Sequence, residues 1–522
     1  MNKIMKLKNI INTLSLAAVA LVATSCQDTD AQYSIPVIGA PEFVSATPSA
    51  DAMIYGEQTF VLTFDRNIGF ASKNAQKITL NGSPVTSAMV VGTSKELTIT
   101  ATADFSKTQT LVVPAGIVLG PQGDAYNQDI TLTWSFKDLS SNTATAMTQQ
   151  LGWGWNLGNH FETSKEAIDN NWGYWDQVEK IESALFDKIA AAGAKTVRIP
   201  VTWDAHMDDG GIIKAEFLDE VADAVDKALA AGLNVILNTH HDSFETDLAN
   251  AANSEDVAKA DSAAIVNTWE QVATKFASYG DKLIFETFNE IHGGEDWGTG
   301  SDAQFALLNK WNQYAVDAIR KTGGNNSTRW IAVSGYAANI DLTLEHLEIP
   351  EDAANRIIVG VHCYDPYGFC LAPIADDGTE IYNSWGHNAD ASHSVSGANE
   401  EYVISQLYKL RTAYIEKGIP CYLGEYGCVI HTTDLANAFR KYYLEFFCRA
   451  AYLAGIPMFV WDNNSVSCGT VSGNECSSYF DHATGDYVAD GADVVPMMIK
   501  ACTSTDSSYW FDTIWAKSPS IK

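Results

Sequence analysis

The chain has 522 residues, of which 64 are acidic and 33 are basic, and its formal net charge at neutral pH is −31. This charge argues against nucleic acid as a partner, because a polyanion would be repelled over most of the surface. Hydrophobic residues make up 46% of the sequence and aromatic residues 11%, which excludes a disordered or fibrous protein. Length alone predicts two or three domains, although single barrel domains often exceed about 150 residues.

Residues 1–25 are predicted to be a signal peptide. Three lysines, Lys3, Lys6 and Lys8, precede a nearly continuous apolar stretch over residues 10–23. This order of a positive region and a short apolar region is typical of an export signal, and the apolar region is too short to span a bilayer comfortably. We therefore expect the segment to be cleaved.

The segment Ala23–Cys26 (ATSC) resembles a bacterial lipobox, in which the cysteine is acylated and becomes the first residue of the mature protein, although leucine is usual where Ala23 stands. The polar, acidic residues 27–30 resemble the surface-export signal of lipoproteins in Bacteroides-like bacteria. We expect Cys26 to be a lipid anchor and the protein's only membrane contact, at the outer membrane and facing the cell exterior. An ordinary secreted protein, in which Cys26 is removed or incidental, is the alternative.

Residues 36–137 are predicted to form an all-β, Ig-like sandwich. Apolar residues alternate with Thr-rich polar ones, and turn signals such as residues 81–84 (NGSP) separate the strands. The segment resembles bacterial Ig-like domains found beside surface enzymes, so it is either a carbohydrate-binding module or a rigid spacer. Trp134 is its only tryptophan, which favours the spacer. Residues 138–148, rich in Ser and Thr, are predicted to be a linker.

Residues 149–522 alternate apolar strands with amphipathic helices, a pattern that predicts a (β/α)₈ barrel. Glycines such as Gly193, Gly232 and Gly455 end predicted helices and precede apolar strands. A doubly wound open sheet is the rival architecture, but no glycine-rich phosphate-binding motif supports it. The eight predicted strands are 152–157, 196–203, 234–240, 283–289, 330–336, 357–364, 421–426 and 458–461.

Polar and aromatic side chains fall near the carboxyl ends of the predicted strands, where the active sites of barrels lie. An arginine in a strand is often only a core ion pair, and a lone histidine is often structural, but a shared rim position outweighs these interpretations. Seven of the eight strands contribute to the predicted site, with Asn156, Asn159, Arg198, His240, His241, Asn289, Glu290, His362, Tyr364, Glu425 and Trp461.

Glu290 and Glu425 are predicted to face each other across the barrel mouth, at the ends of strands four and seven. Cleavage of a glycosidic bond requires two such carboxyl groups: one protonates the leaving oxygen, while the other attacks the anomeric carbon or activates water. The narrow barrel favours a separation of roughly 5 Å, which marks a retaining double displacement.

Four segments support this chemistry in chain order: Gly154–Asn159 (GWNLGN), Val197–Pro200 (VRIP), Thr287–Glu290 (TFNE) and Leu423–Gly427 (LGEYG). Together they resemble glycoside hydrolase family five, the cellulase-type family of clan A. The resemblance covers the chain from about residue 148 to its end. It implies a retaining mechanism with Glu290 as acid/base and Glu425 as nucleophile.

The resemblance also implies roles for the other rim residues. Arg198 would hold Glu425 ionised through a charge-assisted hydrogen bond, and Tyr364 would donate to the same carboxylate. Asn289 would bind the sugar 2-hydroxyl, a contact that strengthens in the transition state. Trp461 would stack beneath the sugar ring. The remaining residues expected to line or support the subsite are His240, His241, His362 and Asn159.

Residues 362–369 (HCYDPYGF), with Trp385 downstream, are similar to the family-five branch that contains β-1,4-glucanases, mixed-linkage glucanases and xyloglucanases, with Cys363 where an aromatic residue is common. We expect a monomeric, endo-acting β-1,4-glucanase that binds β-glucan polysaccharides and oligosaccharides. The alternatives are a β-mannanase and a catalytically silent, surface glycan-binding lipoprotein. Candidate stacking platforms for outer sugars are Trp153, Trp172, Trp175, Trp203, Trp297 and Trp385.

Eight of the nine cysteines fall in the last third of the chain. Export would permit disulfides there, although each cysteine is equally compatible with a small buried apolar side chain. The spacing of Cys and of the adjacent His240 and His241 fits no zinc template, and we expect no metal and no cofactor. The pairs close enough in sequence for local loop closure are Cys363/Cys370, Cys421/Cys428 and Cys468/Cys476.

Overall fold

The computed structural model describes residues 36–520 except residues 51, 53, 55, 104–107, 136–141, 375–378, 467–475, 507, 508 and 510. It divides into two compact units, Met1–Ser135 and Phe136–Lys522. The predicted signal peptide and the predicted anchor Cys26 lie outside the described residues.

The first unit is an Ig-like sandwich of two four-stranded antiparallel sheets, as predicted. Trp134 is 4% exposed, and its ring lies 4.9 Å from that of Phe60, so this tryptophan belongs to the core. One sheet has the strand order Phe43–Thr47, Gly56–Phe64, Glu96–Ala103, Ser87–Met89, and the other Ile130–Trp134, Gln109–Val113, Thr79–Leu80, Ser83–Pro84. A short pair, Gly69–Phe70 with Val118–Leu119, and the 3₁₀ helix Ser72–Lys77 accompany them.

The second unit is a closed barrel of parallel strands, which confirms the predicted fold class and excludes an open doubly wound sheet. Each strand pairs with the next, and the last pairs with the first through Trp153 and Met458. The strands are β1 (Trp153–Asn156), β2 (Thr196–Ile199), β3 (Asn234–Asn238), β4 (Leu283–Glu286), β5 (Ile331–Asn339), β6 (Ile357–Cys363), β7 (Cys421–Tyr426) and β8 (Met458–Val460).

Helices connect the strands. Gly193 (φ 115°) and Gly455 (φ 78°) end the helices before β2 and β8 in the left-handed conformation, which residues with a Cβ rarely adopt. The α-helices are Thr143–Leu151, Lys165–Asp169, Ser183–Ala192, Ala215–Ala230, Leu248–Asn253, Glu255–Lys275, Asp302–Lys321, Ile340–His346, Tyr367–Cys370, Glu400–Ala413, Asp434–Ala454, Gly491–Thr503 and Phe511–Trp515. Short 3₁₀ helices span Asp204–His206, Ser243–Glu245, Gly324–Ser327 and Ile415–Lys417.

The structure corrects the linker prediction for residues 143–148, while residues 138–141 of the predicted linker lie outside the described residues. Thr143–Leu151 is a helix that closes the amino-terminal end of the barrel, and Asn142 caps it by accepting from the Ala144 N–H. The Ser/Thr-rich composition suggested a linker, but Met147 and Leu151 are spaced to face one side. They pack against an inward-facing layer formed by Ile236, Ile284, Ala332, Ile358, Tyr422 and Phe459.

The cysteines behave mostly as buried apolar side chains. Cys363, Cys370, Cys421 and Cys428 are free and buried, so neither the Cys363/Cys370 nor the Cys421/Cys428 pair is a disulfide. Cys476 is disulfide-bonded. Cys468, with which the spacing pairs it, lies outside the described residues.

Candidate active site

A polar layer lies directly above the apolar floor of the barrel. Side chains alternate along a strand, so the residue two positions after an inward-facing residue also faces inward. On β3 the floor residue Ile236 is followed by Asn238, and on β4 Ile284 is followed by Glu286. The same layer receives Arg198 from β2, and it supports the catalytic groups above it.

The two predicted catalytic carboxyl groups face each other across the barrel mouth. Glu290 follows β4 and Glu425 lies in β7, and one oxygen of each lies within 4.8 Å of the other. The side chain of Glu290 is 20% exposed and that of Glu425 is 7% exposed. The spacing matches the roughly 5 Å of retaining glycosidases rather than the roughly 6.5–9.5 Å of inverting ones.

Glu425 is held as a carboxylate by donors on both of its oxygens. Arg198 Nη1 donates to Oε1 (2.8 Å), and Tyr364 OH donates to Oε2 (2.9 Å). Burial alone would raise the pKa of Glu425, but the charges of His362 and Arg198 and the hydrogen bonds from Tyr364 and Arg198 lower it below its ordinary value. Glu425 is therefore ionised, as a nucleophile must be.

The pKa of Glu290 shifts in the opposite direction. Burial raises its pKa, the charge and hydrogen bond of His362 lower it in part, and the charge of Glu425 raises it again, so that the pKa lies above its ordinary value. His362 Nδ1 lies 2.5 Å from Glu290 Oε1 and 3.8 Å from Glu425 Oε2. Two neighbouring carboxyl groups with opposite pKa shifts are the arrangement that separates a general acid from a nucleophile.

Arg198 is fully buried and organises the layer beneath Glu425. Its Nη1 also donates to Asn156 Oδ1 (3.0 Å), and its Nη2 donates to Asn289 Oδ1 (2.9 Å) and to Glu286 Oε1 (2.6 Å). Tyr422 OH donates to the other Glu286 oxygen (2.5 Å). The guanidinium therefore lies between the carboxyl group of Glu425 at the barrel mouth and that of Glu286 in the barrel interior.

Reasoning from sequence missed Glu286, Tyr422 and Asn238. A usable signal existed for Glu286, because a charged residue inside the buried strand LIFE requires a partner within the barrel. Tyr422 and Asn238 carried no comparable signal, since a tyrosine and an asparagine are common in strands that approach a site.

His240 is a neutral imidazole. The Val201 N–H donates to Asn238 Oδ1 (3.1 Å), which fixes that amide so that its Nδ2 points at His240 Nδ1 (3.1 Å). His240 Nδ1 is thus an acceptor, and its proton sits on Nε2. Burial, aided by neighbouring positive charges, lowers the pKa of His240 well below its ordinary value. The ring lies nearly parallel to that of Trp461, with centroids 6.0 Å apart and planes at 10°.

A cleft of about 720 Å³ opens above these groups, a size typical of ligand sites. Arg198 lies beneath it. Of the predicted site residues, the cleft is lined by Asn159, His240, His241, Asn289, Glu290, His362, Tyr364, Glu425 and Trp461. Lining residues that the sequence interpretation did not assign to the site include Asn339, Asp341, Tyr367, Tyr402 and Gln406.

The structure corrects the prediction that Trp385 binds substrate. Trp385 is 2% exposed, its Nε1 donates to the Ala398 carbonyl (2.7 Å), and its ring packs against those of Tyr442 and Tyr443. A sugar cannot stack on a ring whose faces are covered. A tryptophan after a site-forming loop resembles a platform in sequence, but here it fills the space between that loop and helix Asp434–Ala454.

Trp153 and Trp203 are also core residues, with exposures of 1% and 0%, so their prediction as platforms is wrong. By contrast, Trp172, Trp175 and Trp297 are 62%, 40% and 52% exposed. Trp175 lies beside His241, with ring centroids 5.9 Å apart, and Trp297 lines the cleft.

His482, another residue that sequence reasoning missed, joins the loops after β1 and β8. Its Nδ1 lies 3.0 Å from Asp176 and its Nε2 lies 3.3 Å from Asp462, and all three side chains are fully buried. Burial would lower the pKa of His482, but the hydrogen bonds to both carboxylates raise it to about 9. Asp462 follows Trp461 and also accepts from the Trp155 Nε1–H (2.8 Å), so this network holds the chain directly after Trp461.

Within the described ranges, the group of His, Cys, Asp and Glu side chains close enough to hold a metal is Glu290, His362 and Glu425. These are the groups already engaged with one another and with Arg198 and Tyr364. No helix in the described part of the chain is long and apolar enough to cross a membrane.

Comparisons with known proteins identify the family of each unit. The profile described as Cellulase (glycosyl hydrolase family 5) matches residues 154–467, and that of a bacterial Ig-like domain matches residues 38–138. Endoglucanase A of Clostridium longisporum is 32% identical over 338 residues, which cover 62% of this chain and 60% of that relative's length.

Two solved structures are similar to the barrel. A GH5-4 broad-specificity endoglucanase from Bacteroides salanitronis is 39% identical, covers 71% of this chain and 98% of its own, and gives a TM-score of 0.62. A GH5 lichenase from Caldicellulosiruptor sp. F32, solved as a mutant in complex with cellotetraose, is 30% identical, with 70% and 97% coverage and a TM-score of 0.61.

Proposed function

The chain belongs to glycosyl hydrolase family 5, and from this premise we propose that it is a retaining, endo-acting β-1,4-glucanase that hydrolyses plant cell-wall β-glucans by double displacement. The observation that carries the proposal is the pair of Glu290 and Glu425, whose oxygens approach within 4.8 Å while their pKa values shift in opposite directions.

In the first step, Glu425 attacks the anomeric carbon while Glu290 gives its proton to the glycosidic oxygen. The bond to the departing chain breaks, that chain leaves with a new hydroxyl group, and an ester joins Glu425 to the retained sugar. His362, 2.5 Å from Glu290, stabilises the carboxylate that Glu290 becomes.

In the second step, Glu290 takes a proton from water, and the water oxygen attacks the same anomeric carbon. The ester breaks, and Glu425 returns to the carboxylate that Arg198 and Tyr364 stabilise. Each displacement inverts the anomeric centre, so the product keeps the configuration of the substrate.

The substrate class follows from the cleft and from the relatives. Trp175 lies beside His241 and Trp297 lines the cleft, and both rings are exposed, so they can bind sugar units beyond the catalytic position, as an enzyme that cuts within a chain requires. The similar structures are a broad-specificity endoglucanase and a lichenase with bound cellotetraose. We propose that this chain binds β-glucan polymers and oligosaccharides, with cellulose, mixed-linkage glucan and xyloglucan as the candidates.

A substrate panel tests the activity. Reducing-sugar release and product lengths are measured on cellulose, mixed-linkage glucan, xyloglucan and mannan, and we expect short oligosaccharides from long β-glucans early in the reaction. Release from mannan alone would replace the proposal with a β-mannanase. Binding without release from any polymer would indicate a silent glycan-binding protein.

Azide rescue tests the roles of the two carboxyl groups. With 2,4-dinitrophenyl β-cellobioside as substrate, Glu425→Ala should yield α-cellobiosyl azide, because azide replaces the nucleophile in a single displacement. Glu290→Ala should yield β-cellobiosyl azide, because azide opens the glycosyl-enzyme ester. Glu380→Ala, which removes another carboxylate paired with a histidine (His431, 2.6 Å), is the control and should yield neither azide. Full activity of either catalytic variant would refute the assignment.

We propose that the protein is exported and anchored to the outer membrane through acylated Cys26, facing the exterior, and that it is a monomer. The apolar stretch and the segment ATSC support the export and the lipid anchor. Cys26→Ser should release the protein from the membrane fraction, whereas Cys502→Ser should not. Protease added to intact cells should degrade the anchored protein; full protection would contradict an outward orientation.

We propose that the Ig-like unit is a spacer, since its only tryptophan is buried. A protein lacking residues 1–137 should keep its kcat/KM on soluble substrate and its affinity for insoluble polymer. A loss of polymer affinity alone would instead identify a binding module.

A further inference from the structure

Glu245 lies behind the cleft and contacts two residues that line it. Its side chain is 6% exposed. Oε1 accepts from Asn289 Nδ2 (3.0 Å), and Oε2 lies 2.7 Å from His241 Nδ1. Neither the sequence motifs nor the comparisons assign it a role.

The contact with Glu245 fixes the orientation of the Asn289 side-chain amide, which binds the substrate in the mechanism proposed above. Asn289 Oδ1 is occupied by Arg198 Nη2 (2.9 Å), and one Nδ2 hydrogen is occupied by Glu245. An amide nitrogen carries two hydrogens, so the second Nδ2–H is left in a set direction. Because Asn289 lines the cleft, that hydrogen is the one available to a sugar hydroxyl.

The second contact of Glu245 is with His241, a histidine whose pKa is raised. His241 is 37% exposed, lines the cleft, and lies between the rings of His240 (4.5 Å) and Trp175 (5.9 Å). Burial lowers the pKa of His241, but the charge and hydrogen bond of Glu245, with smaller contributions from the carboxyl groups of Glu162 and Glu290, raise it to about 9. Glu245 thus pairs through Oε2 with a histidine whose pKa is raised, and its Oε1 accepts the hydrogen bond from Asn289.

We infer that Glu245 is a positioning residue for the reaction, which orients the Asn289 amide toward the sugar 2-hydroxyl and joins it to His241 at the neighbouring sugar position beside Trp175. This inference rests on the proposed function. It predicts that Glu245 acts on turnover through Asn289, and that the two residues are energetically coupled.

A double-mutant cycle measures this coupling. Glu245→Met fills the site without an acceptor, and it should lower kcat/KM on a β-glucan oligosaccharide about 10–100-fold, the effect expected for one hydrogen bond to a charged group. In the Asn289→Ala background, the same substitution should change kcat/KM less than about twofold. Glu245→Gln, which keeps an acceptor oxygen for Asn289, should recover most of the activity.

Glu380→Ala is the matched control, since Glu380 pairs with His431 at 2.6 Å outside the cleft lining, and its effect should be the same in both backgrounds. Equal losses for Glu245→Met with and without Asn289 would overturn the inference and leave Glu245 a purely structural residue. If Glu245→Met does not fold, Glu245→Ala takes its place in the cycle, with the same expected dependence on Asn289. A wild-type protein that hydrolyses no β-glucan would refute the proposed function, and the inference with it, whereas additive losses in an active enzyme refute the inference alone.

Discussion

Replacing Tyr364 by phenylalanine removes one hydrogen bond from the nucleophile and leaves an aromatic ring in place. The hydroxyl donates to Glu425 Oε2 over 2.9 Å, while Oε1 keeps its bond from Arg198. A hydrogen bond to a charged group contributes about 1.5–3 kcal/mol. One pKa unit corresponds to about 1.4 kcal/mol, so Tyr364→Phe should raise the pKa of Glu425 by about one to two units.

The measurement is the pH dependence of kcat/KM, whose acid limb reports the ionisation of Glu425 in the free enzyme. The bond from Tyr364 lowers the pKa of Glu425, so its removal keeps the carboxyl group protonated to a higher pH, and the acid limb should move upward by about one to two units. The alkaline limb, which reports Glu290, should move much less. Tyr402→Phe is the control, because Tyr402 OH donates to Asp365 (2.8 Å) and not to a catalytic carboxyl group.

An unchanged acid limb in a folded Tyr364→Phe enzyme would refute this reasoning. It would mean that the charges of Arg198 and His362 alone hold Glu425 ionised. A shift toward lower pH would contradict even the direction of the effect.

The remaining predictions concern stacking, packing and buried charge. Trp461→Ala should lower kcat/KM about 10–100-fold through loss of the apolar face, measured on cello-oligosaccharides, and an effect below twofold would argue against stacking. Trp385→Ala should reduce the free energy of unfolding by about 3–5 kcal/mol in urea titrations without changing KM, since that ring lies in the core. A raised KM at unchanged stability would indicate instead that Trp385 binds substrate. His482 has a pKa of about 9, raised from 6.5, so its stabilisation of about 3 kcal/mol is fully present below pH 6.5 and is lost as pH rises through 9. Wild type should therefore lose more unfolding free energy than His482→Asn between these pH values, and equal losses would contradict the role of the imidazolium.

The positions of Glu290 and Glu425 were predictable because the ends of strands can be located from the sequence. Glu290 and Glu425 stand at the ends of apolar strands that a regular βα pattern locates, and parallel strands in a barrel bring such ends to one rim. Of the two pKa shifts, only the direction of the Glu425 shift was predictable, since Arg198 on β2 was an evident partner. The distance of His362 from each carboxyl group required the structure.

The side-chain pairs within the layer below the rim were not predictable. Glu286 contacts both Arg198 and Tyr422, which lie on strands far from it in sequence, and only barrel closure defines those pairs. The same limit explains Trp385, since burial of a loop tryptophan depends on which helix packs over it. Thr143–Leu151 was misread for a different reason: composition indicated a linker, while the burial of two apolar residues stabilises a helix.

The helix Thr143–Leu151 determines where one module of this protein ends and the next begins. The family profile starts at residue 154, but a barrel cut there would lose Met147 and Leu151 and expose its floor to water. Each such side chain contributes about 1.5–3 kcal/mol on burial. A gene fusion or domain exchange that preserves activity should therefore include the chain from Asn142 onward, because the helix that covers the floor of the barrel is part of the catalytic module.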